Sequence, residues 1–140
     1  MKSFRLSNKK GGFSLVELTI VVVILGVLAT FAVPRFMKSV ERSKAGESFN
    51  YLENVVTAQG MHNARSGIYA SVLTNLDVDM KVPKYFTVGS LTSTAFETAW
   101  ELKLTRTGTS SGYGAYTVVF DQDGFNQSKS TIPADLIPNN

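Results

Sequence analysis

Lys9-Lys10-Gly11-Gly12-Phe13-Ser14-Leu15-Val16-Glu17-Leu18, running on through Ile20 to Leu25, Gly26 and Pro34 to Phe36, decides how this chain reads. A basic leader meets a Gly-Gly pair, then an apolar helix with one carboxylate near its start and a proline near its end. No charged residue occurs from Leu18 through Pro34. A charge-free apolar run of this kind approaches the roughly 17–25 residues that span a bilayer. Glu17 is the anomaly. A carboxylate carried into such a segment costs roughly 2.5–3.5 kcal/mol on insertion scales, so it calls for a partner and a purpose.

Three bland readings of the stretch fit it less well on physical grounds. A cleaved secretory signal places its small-residue cleavage site beyond an apolar core of about 7–15 residues. Here the small pair Gly11-Gly12 comes first, and the run behind it is longer. An uncleaved anchor would share the basic cytoplasmic flank, but it gives no reason for Gly11-Gly12 or for Glu17. A soluble core helix would need a domain large enough to cover it on every side, and 140 residues are too few.

The run KKGG-FSLVEL followed by β-branched apolar residues resembles the class III signal of type IV pilins and type II secretion pseudopilins. The resemblance covers about the first quarter of the chain, and leader charge, Gly12, Phe13, Glu17 and Pro34 all stand where that family has them. It implies cleavage between Gly12 and Phe13 by a prepilin peptidase on the cytoplasmic face, with N-methylation of Phe13. It implies that Glu17 pairs with the Phe13 α-amino group, on its own or an adjacent subunit, and so sets register between helices. It further implies that the helix from Gly26 to Pro34 loosens when packed in a filament. The expected role is a filament subunit of a type IV pilus, or else a pseudopilin of a short periplasmic pseudopilus; a monomeric anchored binding module is the remaining alternative. The expected partners are copies of itself, the prepilin peptidase, assembly machinery, and the cytoplasmic membrane before assembly. The leader would face the cytoplasm and the head the periplasm, with the finished filament outside the cell.

Taken in order, residues 1–12 read as leader, 13–36 as the apolar membrane or filament-core helix, 37–66 as its amphipathic half, and 67–140 as a globular head. Ser14 and Glu17 form an S-x-x-E capping box. Pro34 has no N–H for the Thr30 carbonyl and crowds it. Beyond it, Ala45, Phe49, Leu52, Val56, Gly60 and Ala64 are expected to form one apolar stripe, with Lys38, Glu41, Arg42, Lys44, Glu47 and Glu53 mostly off it. Gly67 supplies the stop. In the head, Lys84 to Gly89 reads as a strand. Thr98 to Thr107 alternates, with Trp100, Leu102 and Leu104 on one face, and Ala115 to Asp121 is the return strand. The fold class expected is α+β, a long N-terminal helix packed on a small antiparallel sheet.

Charge and chemistry narrow the function. The net charge of +3 comes from Lys2, Arg5, Lys9 and Lys10 of the leader; without them ten basic residues face eleven acidic ones, so nucleic-acid binding is not supported. With no cysteine, the C-terminal segment lacks the disulfide common in Gram-negative pilins and must be held otherwise. Gly108-Thr109-Ser110-Ser111-Gly112 matches G-x-S-x-G, but it falls between strands, and the single histidine, His62, precedes it on the helix. It reads as a hairpin loop, His62 as a helix-surface or head-contact residue, and the chain as no enzyme. Asp121, Asp123 and Asn126 are candidate calcium ligands around Gly124, set against ordinary turn chemistry. No other cofactor is expected. Asn126-Gln127-Ser128 is a sequon, a pattern common by chance.

Overall fold

The computed structural model describes residues 11–76, 81–108 and 112–138. The leader residues Lys2, Arg5, Lys9 and Lys10, and the Thr109–Ser111 part of the G-x-S-x-G loop, lie outside them. The described chain is α+β: a helix α1 at Leu15–Ser66 and an antiparallel sheet of β1 Phe86–Val88, β2 Glu101–Arg106, β3 Thr117–Asp121 and β4 Gly124–Phe125, in the spatial order of the sequence. Two compact units divide at Phe36/Met37.

In the first unit every described residue, from Gly11 to Phe36, is exposed. α1 begins where a capping box allows it. The Ser14 N–H donates to Glu17 Oε2 at 2.9 Å, and the Val16 N–H donates to Ser14 Oγ at 3.3 Å. The helix continues through Pro34, and the Thr30 hydroxyl donates back to the Gly26 carbonyl at 3.0 Å. Back-bonding of this kind and a proline four residues on both weaken or bend a helix, so Gly26 to Pro34 carries two such features.

The second unit is organised by a stripe that differs from the expected one. Glu41, Ala45, Ser48, Leu52, Val55 and Gln59 are buried, with Phe49, Tyr51 and Ala58 beside them. Those five steps cover eighteen residues, the 3.6-residue repeat of the helix. The run expected from apolar residues alone advances nineteen residues in five steps, so by Ala64 it has turned about 100° away from its start. Val56 is accordingly half-buried, while Gly60 and Ala64 are exposed. Glu41, expected off the stripe, is its first member and wholly buried. The helix stops at Gly67, whose positive φ of 79° suits glycine, with its N–H on the Asn63 carbonyl at 2.7 Å.

The strands follow their expected phase. Trp100, Leu102 and Leu104 are buried, and the same alternation carries Arg106 to the inner face. Val118 and Phe120 meet them from β3. Phe49 from α1 closes on Phe120 and Phe125 with ring centroids 5.5 and 5.0 Å away, a cluster of aromatic contacts joining helix and sheet. Gly89 lies so close to β2 that a Cβ there would sit 2.8 Å from the Lys103 carbonyl oxygen.

The cysteine-free C-terminal segment is held by hydrogen bonds, charge and packing. Thr131 exchanges bonds with Thr117, its N–H to the carbonyl at 3.0 Å and its Oγ1 accepting the Thr117 N–H at 2.8 Å. Ser130 Oγ accepts the Val119 N–H at 2.9 Å. Further on, Asp135 receives Lys38 at 3.2 Å and the Tyr113 hydroxyl at 3.1 Å, Leu136 is fully buried, and Arg42 donates to the Ile137 carbonyl.

Candidate functional site

The N-terminal segment presents its expected site residues on an uncovered helix. Phe13 is 86% exposed, and nothing lies within 4 Å of where a Cβ of Gly12 would be. Glu17 is brought to Ser14, one residue from Phe13, and spends one carboxylate oxygen on the helix cap. Gly26 and Pro34 stand further along the same helix, two turns apart. The side chains between them make no packing of their own: α1 holds a window long and apolar enough to cross a membrane, and none of it is buried within the chain. A helix that is greasy on all sides and covered by nothing is made for lipid or for other apolar helices.

Residues 7–33 match the prokaryotic N-terminal methylation motif. That segment of the chain is similar to the N-terminal part of type IV pilins and of a type II secretion protein. Among curated proteins, this chain is 44% identical over 59 residues to the type IV major pilin protein PilA of Myxococcus xanthus, covering 42% of this chain and 27% of that one. It is 31% identical over 76 residues to the type II secretion system core protein G of Pseudomonas aeruginosa, covering 54% of each. The fimbrial protein EcpC of Eikenella corrodens is 44% identical over 45 residues, 32% of this chain and 29% of its own. The matches thus span about half or less of the length of these relatives.

A second constellation lies in the head, and the sequence reading missed it. The Arg106 guanidinium forks onto Glu41, Nε to Oε1 at 2.6 Å and Nη2 to Oε2 at 3.1 Å, and the Tyr116 hydroxyl donates to Oε1 at 3.0 Å. Lys44 stands 3.5 Å from Oε2. Arg106 also donates from Nη1 to the carbonyls of Tyr85 and Thr107, and lies over the Tyr85 and Phe86 rings. Burial pushes the Glu41 carboxyl up, but the hydrogen bonds of Arg106 and Tyr116 and the charges of Arg106 and Lys44 outweigh it and hold it below the ordinary carboxylate value. The bond from Glu41 raises Arg106, and burial with the Glu41 charge raises Tyr116. The arrangement ties α1 to β2. Its only sequence signal was phase, since Glu41 and Arg106 complete stripes whose other members are mostly apolar.

The remaining candidates are occupied locally. Asp121 Oδ1 accepts the Asp123 N–H at 3.0 Å and Oδ2 accepts Asn126 Nδ2 at 2.7 Å. Asn126 Oδ1 accepts from Ser128 Oγ and the Lys129 N–H, and Asp123 Oδ2 accepts from Gln122. These are the bonds of Asx turns. No group of three His, Cys, Asp or Glu able to hold a metal occurs among the described residues. His62 Nδ1 lies 3.0 Å from the Ile68 carbonyl, a contact at the helix end.

Proposed function

We propose that the chain is a structural subunit of a type IV pilus-like filament, cleaved between Gly12 and Phe13, N-methylated at Phe13, and polymerised through its apolar N-terminal helix. The observation that carries this reading is the methylation motif at the head of a helix whose apolar half nothing in the chain covers. Before assembly that half rests in the cytoplasmic membrane; afterwards copies of itself bury it, and the heads form the shell. Glu17 pairs across to a Phe13 amino group, and Gly26 and Pro34 mark where the helix yields to packing. A prepilin peptidase and a membrane assembly machine are the partners this requires. The role is structural, with no catalytic step.

One observation favours a second reading. The match to core protein G runs over 76 residues, more of this chain than the 59 residues matched to PilA. That supports a secretion pseudopilin assembling a short periplasmic pseudopilus. Electron microscopy of sheared cell-surface material, with the subunit's N-terminus read by mass spectrometry, separates them. Long fibres of a subunit beginning at methylated Phe13 establish the first reading; a processed but periplasm-confined subunit establishes the second. A native protein intact from Met1 would end both. Gly12→Trp should leave the precursor uncut, because the bulky side chain fills the position that the peptidase needs clear.

A further inference from the structure

β2 and β3 set two carboxylates against each other. Glu101 and Asp121 are register partners, and directly opposed side chains on a sheet lie about 4.5–5.5 Å apart at Cβ, so two anions there repel. The segment 126–131 runs back along β3: Asn126 donates its N–H to the Val119 carbonyl at 2.9 Å and Thr131 donates to Thr117 at 3.0 Å. From that strap Lys129 reaches past β3 to Glu101 on β2, Nζ to Oε2 at 2.5 Å. The hydrogen bond and charge of Glu101, with a further pull from Asp121, raise the Lys129 pKa. The open groove beside these charges offers few spare groups, since Ser93 Oγ donates to the Ala99 carbonyl and Thr92 Oγ1 to the Glu101 carbonyl.

We propose that Lys129 is a built-in counter-cation. Its ammonium neutralises Glu101, the register partner of Asp121, fastens the 126–131 strap across the outer face of the sheet, and makes the strap independent of divalent cations. Opposed carboxylates next to a loop rich in side-chain oxygens are suited to calcium; here the positive charge comes from the chain itself. The inference concerns the head alone and stands whether the filament is a pilus or a pseudopilus.

The test is amide hydrogen exchange at Val119, Asn126 and Thr131 in the full chain in detergent, with and without calcium chloride. Lys129→Gln should speed exchange there by about three-fold, the scale of an exposed ion pair. Glu101→Gln should make Lys129→Gln nearly silent when the two are combined, and Lys103→Gln, a lysine of the same strand, should behave as native. Calcium chloride should slow exchange in Lys129→Gln and leave the native chain unchanged. Slowing of the native strap by calcium would reveal a metal site and overturn the proposal. So would a Lys129→Gln chain that exchanges at the native rate.

Discussion

From Leu15 to Phe36, α1 exposes every side chain; from Glu41 to Gln59 it buries nine residues, three of them polar or charged. The backbone is helical in both halves, so the difference lies in what each half is built to meet. The first half carries aliphatic residues round its whole circumference and one carboxylate, which the helix cap holds. The second half keeps solvent on one side and places Glu41, Ser48 and Gln59 where the head supplies partners. Gln59 shows the principle: its amide donates to the Ala70 carbonyl at 3.0 Å and accepts the Ala70 N–H at 2.8 Å. Buried polar groups belong where the chain satisfies them, and exposed apolar ones where another molecule must.

The sharpest way to break this comparison is Glu17. Glu17→Val should ease membrane insertion and reduce the ratio of sheared filament to membrane-held subunit by about a hundred-fold or more, the loss expected when a buried charge keeps no partner. The cap adds a discriminating control. Glutamine serves a capping box as glutamate does, so Glu17→Gln keeps the bond to Ser14 and removes only the charge. If Glu17→Gln assembles as well as the native chain, Glu17 acts through the cap, and the counter-charge role fails.

Next in size is the buried pair of the second half. Arg106→Met should lower head stability by about 3–5 kcal/mol, since it strands Glu41 without its main counter-charge. Combining it with Glu41→Leu should recover most of that loss, which thermal unfolding would register. The pair also sets an acid limit. Glu41 titrates below its ordinary 4.5 in the folded chain, so its contribution is whole above that value and is lost as pH falls through the folded value. The double variant should lack this arm of the pH profile.

Gly89→Ala comes third, at about 1–3 kcal/mol of head stability, because its Cβ would press on a backbone oxygen that cannot yield without shifting β2. Its unfolding midpoint in denaturant should fall while processing at Gly12 is untouched. The smallest effect on the isolated subunit belongs to Pro34→Ala. Pro34 is exposed and takes no part in the buried stripe, so head unfolding should not change. Any effect should appear in filament stiffness, where the restored N–H to Thr30 opposes loosening of Gly26 to Pro34. Fibres of native stiffness would show that Pro34 is only tolerated.

The capping box at Ser14 and Glu17, the uncovered apolar half, the stop at Gly67 and the alternation of β2 were legible in the sequence. Each is written in neighbouring residues: a cap spans three positions, a stop needs one glycine, and burial of a strand face repeats every second residue. The sheet borders shifted only slightly, β2 closing to Glu101–Arg106 from a wider alternating run. What hydropathy could not reveal is which polar residues go inside. Glu41 meets Arg106 across 65 positions and Tyr116 across 75, and Gln59 closes on a backbone that returns after the helix. A charge is written the same way in sequence whether it faces water or a partner, so only the tertiary structure decided those burials, the true phase of the helix stripe, and the bonds that hold a tail without cysteine.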